Sequence, residues 1–242
     1  MTDDQATSKF LAVHGVLETV YGPRKLSPSG DPLSELISTI LSQNTSDTNT
    51  ARSFRSLRQA FPTWDEVRLA DTTVLIDVIR SGGLANRKAP RIQAVLESIR
   101  EQVGSENLSM LRDLPLADAK SWLTSLHGVG SKTAACVLLF SLGRPAMPVD
   151  THVHRVSIRL GLVPPKTSPE RTASSLEESL GDDPQAVYAF HMETIQHGRS
   201  VCRALRPACM ECPLRGYCDY FQQLGSNDGA TDSAKAQASV QE

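Results

Sequence analysis

No apolar run in this chain of 242 residues approaches the roughly 20 residues that a bilayer-spanning helix needs. A membrane protein is therefore not expected. Aromatic residues are scarce, at 5%, and apolar–polar alternation nowhere persists long enough to support a sheet. A β-rich fold is disfavoured. An excess of positive charge is lacking too: 25 Lys and Arg face 27 Asp and Glu, a formal net charge of −2. Sequence-independent affinity for nucleic acid comes mainly from Lys and Arg against phosphate, so the total weakly disfavours such a partner. The first thirty residues begin acidic and hold no long apolar stretch, so no secretory signal is expected and the protein reads as cytoplasmic. In that compartment clustered cysteines point to metal rather than to disulfides.

The distribution of charge says more than its sum. From Gly225 onward Asp228, Asp232 and Glu242 stand against Lys235 alone; without this tail the chain has 24 basic and 24 acidic residues. Arg80, Arg87, Lys88 and Arg91 fall in a stretch with no acid, and Arg199, Arg203, Arg206 and Arg215 face the single Glu211. These are candidate phosphate contacts, with ordinary solvated surface as the plain alternative.

What the chain does hold is helix after helix. In Lys9–Tyr21 the apolar residues Phe10, Val13, Val16, Leu17 and Val20 recur at helical spacing. Further helices are expected over 33–41, 51–60, 71–81, 86–103, 118–125, 131–142, 174–180 and 185–198, with Asp65 a candidate cap. The run Ser131–Leu142 is the most apolar and should be the most buried, with Cys136 a small hydrophobe inside it. Beyond Gly225 the residues are small and polar, and a disordered tail is expected.

Cys202, Cys209, Cys212 and Cys218 lie in the spacing C-x6-C-x2-C-x5-C. Zinc sites commonly present two C-x2-C knuckles, and only Cys209–Cys212 has that form. Iron–sulfur clusters also take four thiolates around a larger inorganic core. Spacing alone leaves iron–sulfur, zinc and an unliganded site open. Pro207 and Pro213 stiffen the connections, and the short loop from Arg203 to Ala208 should present Arg203 and Arg206 outward.

Upstream, LHGVGSKTA joins a short helix to the most apolar one. Gly128 and Gly130 permit positive φ or close backbone approach, and Val129 can plug inward. The free N–H groups of the next helix's first turn then form an anion site. Two helices joined by a Gly-hydrophobic-Gly turn make a helix–hairpin–helix, which holds backbone phosphate without reading sequence; a tight helix–helix turn is the alternative. Lys132 sits on that first turn, where a cation opposes the helix dipole. Partly desolvated there, its amine would favour the neutral form that a nucleophile requires. Eighteen residues on, Asp150 in PVDTHVHRV is a candidate N-cap for the N–H groups of His152 and Val153. Opposite a nucleophilic lysine, its carboxylate could also take up a proton or offset developing positive charge. His152 and His154 lack the spacing of a helical zinc pair.

LHGVGSKTA, VDTHVHRV, HGRSVC and the four-cysteine run stand in an order and separation that resemble the endonuclease III branch of the helix–hairpin–helix DNA glycosylases, from about Lys9 to Leu224. The resemblance implies an all-α fold of two domains with the active-site groove between them. A six-helix barrel would occupy 33–143, and an iron–sulfur domain would be assembled from 1–32 and 144–224. It implies one 4Fe–4S cluster on the four cysteines, Lys132 as nucleophile and Asp150 as its partner, with His152 nearby. The implied activity is a bifunctional glycosylase/AP lyase acting on oxidised pyrimidines such as thymine glycol in duplex DNA. A monomer is expected, nucleoid-associated in a bacterium.

DNA contacts implied by the resemblance are Gln43, Asn44, Leu84, Arg87, Lys88, Gly128, Gly130, His152, Arg203 and Arg206. The sequence departs from the family at two places: Asn44 stands where Gln is usual, and His127 where Pro is common. Competing readings are a mismatch, uracil or adenine glycosylase of the same superfamily and a non-catalytic iron–sulfur DNA-binding protein. Lys132 argues against the adenine type, and the pairing of Lys132 with Asp150 against a mere binder.

Overall fold

The computed structural model describes residues 3–224, so the tail expected to be disordered lies outside the described residues. No strand occurs among them, and the fold is all-α. In chain order the helices are α1 (Asp3–Tyr21), α2 (Pro32–Ser42), α3 (Asp47–Ala60), α4 (Trp64–Leu69), α5 (Thr72–Ile79), α6 (Ala85–Val103), α7 (Leu116–Ser125), α8 (Ser131–Cys136), α9 (Thr151–Leu160), α10 (Pro169–Leu180) and α11 (Pro184–Ser200). The chain divides into two compact units. One comprises Leu26–Pro148 with Asp183–Gln185; the other takes the chain up to Lys25, Val149–Asp182 and the chain from Ala186 onward.

The first of these units is built on α2 and α6. Leu33, Leu36, Ile37, Ile40 and Leu41 of α2 are buried with Ile92, Val95, Leu96 and Ile99 of α6, and Leu75 and Ile79 of α5 join the same core. Local chemistry sets the helix starts. Asp31 caps α2 ahead of Pro32, which fits the first helical position. Ser46 caps α3, whose first residue, Asp47, stands four residues before the expected start. Thr63 caps α4 in a reciprocal arrangement with Glu66. Asp65, the expected cap, lies inside the helix and pairs with Arg68 at 2.9 Å. After α8 the helix widens into a π turn over Val137–Ser141, and the buried Ser141 hydroxyl donates back to the Val137 carbonyl.

The unit boundaries differ from those expected. The segment 26–32 goes with the α2–α8 unit because Ser29 N–H donates to Phe140 O (3.0 Å), Gly30 N–H to Ser141 O (2.9 Å), and Pro28 packs on Gly143. Residues 144–148 stay there too: Arg144 Nη1 donates to Leu111 O at 2.7 Å, and Ala146 is buried in the same core.

The other unit carries α1, α9, α10, most of α11 and the cysteine segment. Phe10, Val13 and Leu17 bury one face of α1, and the Phe10 and Phe190 rings lie 5.0 Å apart. Ser168 caps α10, whose first residue is Pro169, so this helix begins five residues earlier than its apolar periodicity indicated. Gly161 ends α9 at φ +72; a Cβ there would fall 1.7 Å from Asp219 Oδ2, whose carboxylate is paired with Lys9 at 2.6 Å. Glu193 on α11 is fully buried, neither carboxylate oxygen has a hydrogen-bond partner among the described residues, and His14 Nε2 stands off at 4.0 Å. Burial first, and the negative Glu18 second, push its carboxyl up to about 7.

A carboxyl raised on folding binds a proton that the unfolded chain has released between about pH 4.5 and 7, so its penalty is absent in acid and grows as pH rises. Glu193→Gln is therefore expected to be more stable than the parent at pH 8, by up to about 3 kcal/mol, and equal to it below about pH 4.5. Urea unfolding across that range measures the difference.

Candidate active site and metal centre

The turn between α7 and α8 is a helix–hairpin–helix in geometry. Gly128 takes φ +81, Val129 is buried, and Gly130 is extended at φ −93 and ψ 174. No side chain caps α8 among the described residues, and the first turn of a helix is the part that offers N–H groups to an anion. Lys132 is on that first turn. It is exposed, against the partial burial expected of it, and its amine makes no hydrogen bond or ion pair among the described residues.

Asp150 caps α9 as expected: its Oδ1 accepts from His152 N and Val153 N, both at 2.8 Å. Both bonds fall on one oxygen, which leaves Oδ2 available. His152 packs so closely on Gly198 that a Cβ there would lie 2.8 Å from its own Cβ. Its Nδ1 accepts from Arg155 Nη2 at 3.1 Å, and because guanidinium only donates, the neutral ring carries its proton on Nε2. His154 Nε2 meets Thr167 O at 2.8 Å.

Helix α9 runs on from Asp150 to the cysteine segment. Arg155 donates to Gly198 O (2.9 Å) and to Cys202 O through Nε (3.1 Å) and Nη2 (3.0 Å). Arg159, one turn later, donates to Cys202 Sγ (3.4 Å), Arg203 O (2.8 Å) and Ala204 O (3.0 Å), its guanidinium lying over the Tyr220 ring. Sequence reading missed both arginines. Their i, i+4 spacing was visible, but nothing local named their acceptors.

All five cysteines are free of disulfides. Cys202, Cys209, Cys212 and Cys218 line one pocket with Leu160, His197 and Pro207. Among the described residues no three His, Cys, Asp or Glu side chains are gathered as a single metal ion requires. Four thiols around a space, with no carboxylate among the lining residues, fit a polynuclear thiolate-held core better than one tetrahedral ion. Burial pushes the Cys212 thiol up to about 11 and raises that of Cys218, so the thiolate form depends on a metal to stabilise it.

His197 is the partner that the spacing could not show. It is 1% exposed, and burial pushes it down to about 4, so the ring is neutral. Its Nε2 lies 3.6 Å from Cys212 Sγ, and the Tyr21 hydroxyl meets Nδ1 at 2.9 Å. A ligating thiolate can only accept. Nε2 then carries the proton, and Tyr21 donates to Nδ1 and holds that tautomer, as partners beyond the ligands themselves commonly do.

Three candidate contacts sit where the backbone is strained. Asn44 (φ 54), Leu84 (φ 51) and Arg206 (φ 53) are non-glycine residues in the left-handed region, and all three side chains are exposed. Leu84 is 46% exposed, directly ahead of α6. Gln43 is half-buried, while Arg87 and Arg203 are exposed. Lys88 requires correction as a DNA contact. It is 3% exposed, and its ammonium turns inward to Leu41 O (2.6 Å) and Gly82 O (2.9 Å).

Residues 37–181 match the family described as HhH-GPD superfamily base excision DNA repair protein, and residues 202–218 match the iron–sulfur binding domain of endonuclease III. Endonuclease III of Thermotoga maritima is 35% identical over 198 residues, which is 82% of this chain and 87% of that protein. Endonuclease III of Sulfolobus acidocaldarius is 33% identical over 188 residues, 77% and 81% of the two chains. A solved non-covalent endonuclease III–DNA complex has a TM-score of 0.76 at 26% identity, covering 93% of this chain and 99% of that one. A trapped endonuclease III–DNA covalent intermediate gives 0.74 at 27% identity, covering 92% and 98%.

If His197 supports the Cys212 ligand, His197→Phe protein should acquire the visible colour of an iron–sulfur centre under anaerobic conditions but bleach in air several-fold faster than the parent. Tyr21→Phe should move the same way by less. Bleaching rates equal to the parent in both variants would remove the role.

Proposed function

Because the chain belongs to the HhH-GPD superfamily of base excision DNA repair proteins, as an endonuclease III-like DNA glycosylase, we propose that it is bifunctional, releasing oxidised pyrimidines of the thymine glycol type from duplex DNA and then cleaving the abasic strand. The observation that carries this reading is Lys132, an exposed amine with no partner among the described residues, on the first turn after the glycine hairpin. A residue that only held phosphate would not need a carboxylate such as Asp150 as partner.

The damaged nucleotide leaves the stack, a step that a lesion makes easier. The unprotonated Lys132 amine attacks C1′ of the sugar, the C1′–N bond to the base breaks, and the base departs with the bonding pair. Asp150 offers Oδ2 to the positive charge that develops on the sugar, while Oδ1 stays bound to the α9 N–H groups. Loss of a proton from the attacking nitrogen and opening of the ring leave a Schiff base between Lys132 and C1′. That imine makes the 2′ proton acidic, and its removal expels the 3′ phosphate by β-elimination. Hydrolysis of the imine returns the amine.

Contacts in this reading come from the hairpin turn at Gly128 and Gly130, from Arg87, Arg203 and Arg206 against phosphate, and from His152. Asn44 and Leu84 occupy the gap left by the extruded base, with Gln43 beside Asn44 in the same loop, an apolar wedge being a known use of leucine. The protein acts as a monomer. One 4Fe–4S cluster on Cys202, Cys209, Cys212 and Cys218 supplies a cross-link for a segment with little core of its own, and no reaction step passes through it.

Borohydride should trap the protein covalently on duplex DNA containing thymine glycol, and Lys132→Ala should abolish trapping. Asp150→Asn should retain DNA affinity and lower the trapping rate by about a hundredfold or more. A colour-bearing parent protein that is trapped on neither thymine glycol nor an abasic site would end the bifunctional reading.

A further inference from the structure

Three segments assigned above to DNA meet the side chains of one helix. They are the loop that follows Leu41, the turn at Gly82 that precedes Leu84, and the hairpin at Gly128. Lys88 on α6 joins the first two by their backbones, donating to Leu41 O and Gly82 O. No carboxylate pairs with this buried ammonium among the described residues. Burying a charge without a counter-charge is costly unless every donor is used, so its retention needs a reason beyond stability.

Arg91, one turn later on α6, reaches the first and third segments. Its Nη1 donates to Gln43 Oε1 at 2.8 Å. Its Nε and Cδ lie 2.8 Å and 3.0 Å from where a Cβ on Gly128 would be. Gly128 therefore lacks a side chain for two separate reasons: the backbone at φ +81, and room for Arg91. The remaining N–H groups of Arg91 have no partner among the described residues, and the side chain is half-buried. With the Gln43 carbonyl held in this way, Asn44 is left as the exposed amide of the loop, fixed at φ 54.

We propose that Arg91 is a positioning residue: by holding the Gln43 amide against the Gly128 turn it sets how the Gln43–Asn44 loop meets DNA, and so which base opposite the lesion is accepted. This rests on the DNA-facing reading of those loops, not on the lesion or on the lyase chemistry.

The test measures binding to four duplexes carrying a tetrahydrofuran abasic-site analogue opposite dA, dC, dG or dT, which hold no excisable base. The parent should show a spread of Kd across the four. Arg91→Ala and Gln43→Ala should each change that spread by a similar factor, about 3- to 10-fold, as loss of one hydrogen bond allows. The double variant should change it no further, because both lesions break one interaction. Arg91→Lys, which keeps a donor, should fall between parent and Arg91→Ala. Equal weakening of all four duplexes by Arg91→Ala, effects of the two variants that multiply, or a parent without any spread would each overturn the inference. A protein that fails borohydride trapping yet shows the Gln43-dependent spread loses the proposed substrate and keeps Arg91; one that binds none of the four duplexes loses both.

Discussion

The loops that carry the candidate sites have little apolar surface to bury, so their placement falls to cations that donate to neighbouring polar groups. Lys88 joins Leu41 O to Gly82 O, Arg91 holds Gln43, Arg144 holds Leu111 O, and Arg155 and Arg159 gather the carbonyls from Gly198 to Ala204. A hydrogen bond to a charged donor is worth more than a neutral one. It also fixes direction, which apolar packing alone does not. Scarcity of aromatics makes the device more important, since few large rings are available to wedge a loop in place.

Rigid loops can in turn hold backbone that would otherwise relax. Asn44, Leu84 and Arg206 sit in left-handed conformations that cost of order 1 kcal/mol or more each. Such strain persists only where the surroundings over-determine it. Asn44 follows Gln43, which Arg91 holds, Leu84 lies two residues after Gly82, which Lys88 holds, and Arg206 closes the loop that Arg159 grips. The exposed Leu84 follows the same logic, because an apolar side chain held at 46% exposure has no folding benefit of its own.

Helix α9 links the other two centres within its unit. Its first turn is capped by Asp150, and its second and third turns hold the Cys202 segment through Arg155 and Arg159. The Asp150 cap and the grip on the Cys202 segment thus belong to one helix, although no proton or electron need pass along it. Burial raises the Cys212 and Cys218 thiols, so their thiolate form would draw on a bound metal. Removing it would loosen the grip that begins one helix length from Asp150.

Much was legible in the chain alone: the helical periodicity, the Gly128–Lys132 turn, the Asp150 cap and the four cysteines, because each is a local pattern that depends on residues a few positions apart. Helix starts at Ser46, Thr63 and Ser168 were less clear, since apolar spacing marks the buried face and not the cap. The roles of Lys88, Arg91, Arg159 and His197 were not legible. In sequence they are three cations in basic stretches or on a helix face, and a histidine fifteen residues from its cysteine. Only the tertiary structure turned Lys88 inward, set Arg91 against Gly128 and Arg159 against Cys202, and put Tyr21 behind His197. A side chain's type limits what it can bond, but its partner depends on which distant segment the packed helices bring within reach.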